Sequence, residues 1–140
     1  EFKARFNGYF ETLQSHGLDQ SSVQRNAIST EDAGSEAVKS LLQSGELPQA
    51  IVCASDLIAM GVLRALRQAK VNVPDDVAVV GYDNIAVSAY TTPSLTTVQQ
   101  NTKLAGELLV NTLLKAINNE DVQDYLMPAD IIIRQSCGSE

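Results

Sequence analysis

The feature that most constrains the fold is a pair of short apolar runs, each followed at once by polar residues. The first run is Ala50–Cys53, before Ser55 and Asp56, and the second is Val77–Tyr82, before Asp83. Runs of this length between helical patterns are typical of buried parallel strands. Because the carboxyl ends of parallel strands meet at one edge, we expect the two Asp residues to lie together where open α/β sheets bind ligands.

Two carboxylates at such an edge favour one kind of ligand. Ionised carboxylates accept hydrogen bonds and cannot donate them, so a neutral ligand with many hydroxyl or N–H donors, such as a sugar, suits them and a phosphate does not. Asp56 has an equally good structural interpretation, because Ser55 can cap the next helix and an acidic residue there is favoured by the helix dipole. Asp83 is the better candidate, because no regular helical pattern follows it.

Periodicity along the chain predicts alternating helices and strands. Helices are predicted up to Gly17, over Ala33–Leu42, from Asp56 to about Ala69, over Ile85–Tyr90 and over 102–117. Strands are predicted at Val23–Ile28, Ala50–Cys53, Val77–Tyr82, Leu95–Val98, Tyr125–Met127 and Ile131–Arg134. This alternation predicts an α/β fold with a doubly wound, mostly parallel sheet.

The helix predicted from Asp56 to about Ala69 is apolar around most of its circumference. Its polar residues, Arg64, Arg67 and Gln68, form only a narrow strip. A helix this apolar usually packs on two sides. One side is expected to pack on the sheet, and the other is a candidate contact with a partner subunit.

Size and charge exclude several functional classes. A chain of 140 residues has the size of one domain, and no apolar stretch approaches the roughly 20 residues of a membrane span. Ten Lys and Arg against 17 Asp and Glu give a net charge of −7, which is unfavourable for direct contact with DNA. The first residues contain neither a signal peptide nor an initiator Met, so we expect a processed or truncated piece of a longer protein.

Signals for catalysis and metal binding are weak. Cys53 and Cys137 are too few for a disulfide scaffold and lack metal-ligand spacing, and Cys53 is expected to be a buried apolar residue. His16, directly before Gly17, is expected to close a helix. Phosphate-loop and nucleophile-elbow motifs are absent from the sequence. We therefore expect no catalytic residue, cofactor or metal. An enzyme that uses the two Asp residues as an acid/base pair is the alternative.

Four motifs occur in a characteristic order. They are Arg5-x-x-Gly8-Tyr9, then Ala50–Asp56 with Ala59-Met60-Gly61, then Val73–Asn84, and then Pro93-x-Leu95-Thr96-Thr97-Val98-x-Gln100 with Gly106 in the following helix. In this combination the chain resembles, over nearly its whole length, the effector-binding domain of LacI-type transcriptional repressors, which is related to periplasmic sugar-binding proteins.

The resemblance implies a domain organisation. The fold would be of the periplasmic-binding-protein type I, with residues 1–100 as the second effector-binding subdomain. Residues 101–129 would be a crossover helix and strand belonging to the first subdomain, and residues 130–140 would return to the second. The operator-binding helix-turn-helix and most of the first subdomain would be absent from this chain.

The resemblance also implies residue roles in an effector site. Arg5 would donate to ligand oxygens, Asp83 would accept from ligand hydroxyls, and Gln100 would sit beside the ligand at the hinge. Ser55 and Asp56 stand where the family usually has Asn-Asp. Because Ser55 is shorter, one direct contact is expected to be lost or bridged by water.

One family feature is expected to be missing. Ser35 stands where many family members carry an aromatic platform, so the standard stacking of a pyranose ring is not expected. The ligand would then be smaller, or stacked by the absent half.

The resemblance places a homodimer face on Met60 and Leu63 of one helix and on Ile85 and Tyr90 of the next segment. The expected function is the sensing of a small effector, with a sugar as the expected class, by a cytoplasmic regulator. This regulator would contact operator DNA through the absent domain and would not contact membranes. The alternative is a periplasmic solute-binding protein of a sugar transporter.

Overall fold

The elements of the chain follow the predicted order closely. The computed structural model describes residues 2–18 and 28–139. Its helices are α1 (Phe2–Ser15), α2 (Glu31–Ser44), α3 (Asp56–Gln68) and α4 (Thr102–Ile117), with short 3₁₀ helices at Ala86–Tyr90 and Gln135–Cys137. Its strands are β1 (Ala50–Val52), β2 (Ala78–Tyr82), β3 (Thr96–Gln100) and β4 (Ala129–Ile132).

The four strands form one mostly parallel sheet in the order β1-β2-β3-β4. The first three strands run parallel, with Val52 opposite Val80 and Val80 opposite Thr96. The last strand is antiparallel to β3, with Gln100 opposite Ala129. The predicted α/β fold with a mostly parallel sheet is confirmed, and the carboxyl ends of β1, β2 and β3 share one edge.

Two of the predicted strands are not found among the described residues. The strand predicted at Val23–Ile28 lies almost entirely outside the described residues. The strand predicted at Tyr125–Met127 is wrong, because these residues have no regular structure. A strand exists only where another strand pairs with its backbone groups, and within the described ranges no strand lies beside this segment.

Side-chain caps and a left-handed glycine fix the helix ends as the sequence indicates. Thr30 and Ser55 cap α2 and α3 by accepting backbone N–H groups, and Gly45 ends α2 at φ +71°. At the end of α1, His16 Nδ1 lies 2.9 Å from the carbonyl oxygen of Thr12. The expectation that His16 closes a helix is therefore confirmed.

The helices α2 and α3 approach so closely that only glycine fits at two crossing points. A Cβ atom on Gly61 would lie 1.8 Å from the Glu31 carbonyl oxygen, and one on Gly34 would lie 2.1 Å from the Ile58 carbonyl oxygen. The second apolar side of α3 is thus covered by α2 of the same chain. That side was given as a candidate contact with a partner subunit, and α2 accounts for its covering within the chain.

The core lies between α3 and the sheet. Leu66, Val79 and Leu95 have no exposed surface, and Cys53 is buried beside them. Burial, with a smaller contribution from the negative charge of Asp56, raises the pKa of the Cys53 thiol to about 12. Cys53 is therefore the buried, protonated apolar residue that its place in the sequence predicted.

The helix α4 stands apart from this core. None of its residues is buried, and its large apolar side chains Leu109, Val110, Leu113 and Ile117 are all more than half exposed. A solvent-exposed apolar stripe of this size is typical of a contact site. No described element of the chain covers it.

Candidate functional site

Three of the predicted ligand residues meet at the carboxyl edge of the sheet. Asp83 directly follows β2, Gln100 ends β3, and Arg5 reaches the same edge from α1. Arg5 Nη2 lies 3.8 Å from Asp83 Oδ1, and Gln100 Nε2 donates a hydrogen bond of 3.4 Å to the same oxygen. The Asp83 side chain remains 38% exposed, so a ligand can reach its carboxylate.

Arg5 is held in place from two further directions. Its Nη1 donates to the Ala54 carbonyl oxygen at 2.8 Å. Its guanidinium carbon lies 3.5 Å from the centre of the Tyr82 ring, which is a close cation–π contact. Tyr82 was not predicted as a site residue from the sequence. Its position at the end of β2, directly before Asp83, could have indicated it. A guanidinium held in this way presents a fixed set of donors to a ligand.

The backbone at Asp83 is strained. Asp83 has φ +113° and Asn84 has φ +50°, values that residues with a side chain rarely adopt. Each such residue costs about 1–3 kcal/mol and persists only where its surroundings hold it, which is common at binding sites. Here the Asp83 N–H donates to the Val98 carbonyl oxygen at 2.8 Å, which fixes the turn against β3.

Asp56 lies beneath this edge and has no exposed surface. Its Oδ1 accepts from the Thr97 hydroxyl at 2.5 Å, and its Oδ2 accepts from the Ile85 N–H at 2.9 Å. Gly81 makes room for the carboxylate, since a Cβ there would lie 2.2 Å from Oδ1. The expected ligand contact of Asp56 is therefore corrected to a structural role in this conformation, because both oxygens are occupied by donors of the chain itself.

Ser55, which was assigned to the site, and Ser35, at the expected place of the aromatic platform, both face inward. Ser55 is 4% exposed, and its hydroxyl caps α3 and lies 2.5 Å from the Ser29 hydroxyl. Ser35 is buried between α2 and α3, where its hydroxyl donates to the Gly61 carbonyl oxygen at 3.0 Å. Ser35 is thus not at the sheet edge, and its position gives no support to the expectation that an aromatic platform is missing from the site.

The four residues assigned to a dimer face differ in how much surface they offer. Tyr90 is 85% exposed, Met60 and Ile85 are half-buried, and Leu63 is only 6% exposed. The Leu63 side chain packs in the core of its own chain. Leu63 therefore has little apolar surface left for a partner.

The side chains at this edge of the sheet have the chemistry needed to bind a polar small molecule. One cation, one carboxylate and one amide converge, and together they can both donate to and accept from hydroxyl or N–H groups. Within residues 2–18 and 28–139, no group of three or more His, Cys, Asp and Glu residues is placed to hold a metal ion. Over the same residues, no helix has the length and apolar character to cross a membrane.

An open, mostly parallel sheet with such a group at its carboxyl edge defines a ligand-binding α/β domain. Residues 2–137 match the family model of the periplasmic binding protein-like domain. The HTH-type transcriptional repressor PurR of Glaesserella parasuis serovar 5 (strain SH0165) is 34% identical over 96% of this chain and 42% of its own length. The chain thus spans less than half of this curated relative.

Two solved structures are similar to this chain over nearly all of its length. The complex of the transcriptional regulator CelR with cellobiose has a TM-score of 0.86 at 32% identity, over 94% of this chain and 41% of that one. The lac repressor dimer bound to operator and the anti-inducer ONPF has a TM-score of 0.90 at 27% identity, over 96% of this chain and 47% of that one.

The chain belongs to the periplasmic binding protein-like domains of LacI-family transcriptional regulators. The resemblance read from the sequence motifs is confirmed. The named relatives are transcriptional regulators.

Proposed function

We propose that this chain is the effector-sensing and dimerising part of a LacI-type transcriptional regulator. It binds a small effector, with sugars as the preferred class, and thereby controls operator binding by a helix-turn-helix domain outside this chain. The observation that carries the proposal is the convergence of Arg5, Asp83 and Gln100 at the carboxyl edge of the sheet. The cellobiose bound by the related CelR supports the sugar class. A regulator of DNA would act in the cytoplasm.

The effector would lie in a cleft between two subdomains, of which this chain supplies the second. In this proposal residues 1–100 and 130–140 form the second subdomain, and residues 101–129 cross to the first. Two features support it. The chain leaves the sheet after Gln100 and returns opposite it at Ala129, so both crossings lie side by side. The helix α4 between them buries none of its residues on the rest of the chain.

The proposed mechanism is a shift in the relative orientation of the two subdomains. An effector that contacts both halves favours the orientation in which its contacts are complete, and the equilibrium moves by its difference in affinity for the two states. Because the net charge of this chain is −7, DNA would be contacted by the helix-turn-helix domain outside the chain.

The proposed function is tested by a thermal-shift screen of the native full-length protein. The probes are glucose, ribose, maltose and cellobiose in one panel and adenine, guanine and hypoxanthine in another. A ligand at 100 times its Kd stabilises the folded state by about 2.7 kcal/mol, which raises Tm by several degrees. A sugar that raises Tm supports the preferred class, and a purine that does so supports effector binding while changing the class. If no probe in either panel raises Tm, the proposed function fails for these effectors.

Dimerisation is proposed through Met60, Ile85 and Tyr90. We expect Met60→Glu to convert the native dimer into monomers, because a carboxylate buried at an apolar interface is strongly unfavourable. Sedimentation velocity measures the change, and circular dichroism checks that the helices persist. Arg67→Glu is the matched control, since it places the same charge on the exposed strip of the same helix. A folded Met60→Glu variant that remains dimeric would place the dimer face elsewhere.

A further inference from the structure

Arg134 connects the C-terminal segment to residues that precede it by about 40–50 positions. Its Nη2 donates to Asn84 Oδ1 at 2.7 Å. Its Nη1 donates to the Ser88 hydroxyl at 3.1 Å and to the Leu95 carbonyl oxygen at 2.7 Å. The guanidinium is part-buried and joins the residues after β2 to the start of β3.

The backbone of Arg134 is itself anchored. Its N–H donates to the Thr96 hydroxyl at 2.8 Å, and that hydroxyl lies 3.0 Å from the Arg134 carbonyl oxygen. Two residues later, the Ser136 N–H donates to the Ser94 carbonyl oxygen at 3.0 Å. Arg134 therefore projects from a base that is fixed on β3, so its guanidinium can restrain a neighbouring segment.

The segment that it restrains contains the strained turn of the candidate site. Asn84 has φ +50° and directly follows Asp83, at φ +113°. The Asn84 side-chain amide is held at both ends, because Nδ2 donates to Gln99 Oε1 at 3.0 Å while Oδ1 accepts from Arg134. Backbone in this region persists only where surrounding contacts hold it.

We propose that Arg134 is a positioning residue of the effector site. By holding Asn84 and Ser88 against β3, it fixes the Asp83–Ser88 segment and so keeps the Asp83 carboxylate beside Arg5 and Gln100. An arginine suits this role because its planar fork reaches three acceptors at once, which a lysine ammonium on a flexible stem does less well. The ordering of the segment stands on the contacts alone, and its consequence for ligand affinity rests on the proposed function.

Hydrogen exchange of the native full-length protein, without ligand, tests the ordering. Arg134→Met removes every donor of the guanidinium and keeps much of the side-chain length. We expect the amides of the Asp83–Ser88 segment to exchange about tenfold faster in this variant, with α2 and α3 unchanged. In Arg134→Lys the exchange rate of these amides should lie between the rates in Arg134→Met and in the native protein. In Arg67→Met, at an exposed position of α3, these amides should exchange at the native rate.

Two results would overturn the proposal. One is unchanged exchange of the Asp83–Ser88 segment in Arg134→Met. The other is equal acceleration throughout the chain, which would make Arg134 a general stability residue. Asn84→Gly gives an independent check, because glycine accepts φ +50° without strain but lacks the amide. Adding Arg134→Met to Asn84→Gly should accelerate exchange less than Arg134→Met does in the native protein, since the contact to Asn84 is already lost and only those to Ser88 and Leu95 remain.

Calorimetric titration tests the consequence for binding, using the sugar or purine base that stabilises the native protein most in the two panels above. We expect Arg134→Met to raise its Kd about tenfold at a temperature where the variant is fully folded, and Arg67→Met to leave it unchanged. An unchanged Kd in Arg134→Met would overturn the positioning role. If no probe binds the native protein, the proposed function fails on its own, and the exchange experiment still decides whether Arg134 orders the segment.

Discussion

Gly61→Ala is expected to lower the free energy of unfolding by about 3 kcal/mol or more, a large part of the 5–15 kcal/mol of a typical domain. The added Cβ would lie 1.8 Å from the Glu31 carbonyl oxygen, so the backbones of α2 and α3 must separate. The higher helix propensity of alanine, worth about 1 kcal/mol, offsets only part of this cost. Urea unfolding followed by circular dichroism measures the change.

The matched control is Gly106→Ala. Gly106 also lies within a helix, but no atom stands within 4 Å of its added Cβ. Alanine there should stabilise the 140-residue chain, measured on its own, by about 0.5–1 kcal/mol through helix propensity alone. A Gly61→Ala variant as stable as the native protein would show that α2 and α3 are not in backbone contact.

Asp56→Ala is expected to cost about 3–5 kcal/mol of stability, because it removes a buried carboxylate and leaves its donors unpaired. The Thr97 hydroxyl and the Ile85 N–H would both lose their acceptor in a region closed to water. The stability of Asp56→Asn should lie between that of the native protein and that of Asp56→Ala. An amide keeps one accepting oxygen for one partner but turns its N–H donors toward the other. Thermal unfolding measures both variants.

Asp32→Asn serves as the control for charge removal. The Asp32 carboxylate contacts Arg64 at 3.0 Å, but its side chain is 91% exposed, and ion pairs at such positions contribute little. We expect no clear change in Tm. If Asp56→Ala left Tm unchanged but abolished effector binding, Asp56 would be a ligand residue after all, and its buried state would not be the one that binds.

The local elements were readable from the sequence because their signals are local. The run Val77–Tyr82 became β2 at Ala78–Tyr82, and Ser55 caps α3 as its position before an apolar helical pattern indicated. The three ligand candidates Arg5, Asp83 and Gln100 came from the motifs, and the structure brings them together. Strand ends and caps depend on neighbours in sequence, which a pattern records.

The missed features depend on contacts between distant residues. Nothing near Asp56 in sequence shows that Thr97 and Ile85 would occupy its oxygens, so its two interpretations could not be separated. The contacts of Arg134 reach back about 50 positions, and its sequence neighbours give no sign of them.

The second apolar side of α3 illustrates the same limit. Gly34 and Gly61 let α2 approach that side at backbone distance, which the apolar pattern of α3 alone could not reveal. The erroneous strand at Tyr125–Met127 arose because propensity was read without a pairing partner.

The most direct test of the proposed effector site is a calorimetric titration of Asp83→Ala in the native full-length protein. The titrant is the sugar or purine base that most stabilises the native protein in the thermal-shift panels. Losing the acceptor between Arg5 and Gln100 leaves ligand donors unpaired, at a cost of about 1–3 kcal/mol. We predict that Kd rises by about fivefold to about 150-fold while operator affinity without the ligand is unchanged. An unchanged Kd in the folded variant would contradict the assignment of this edge of the sheet as the effector site.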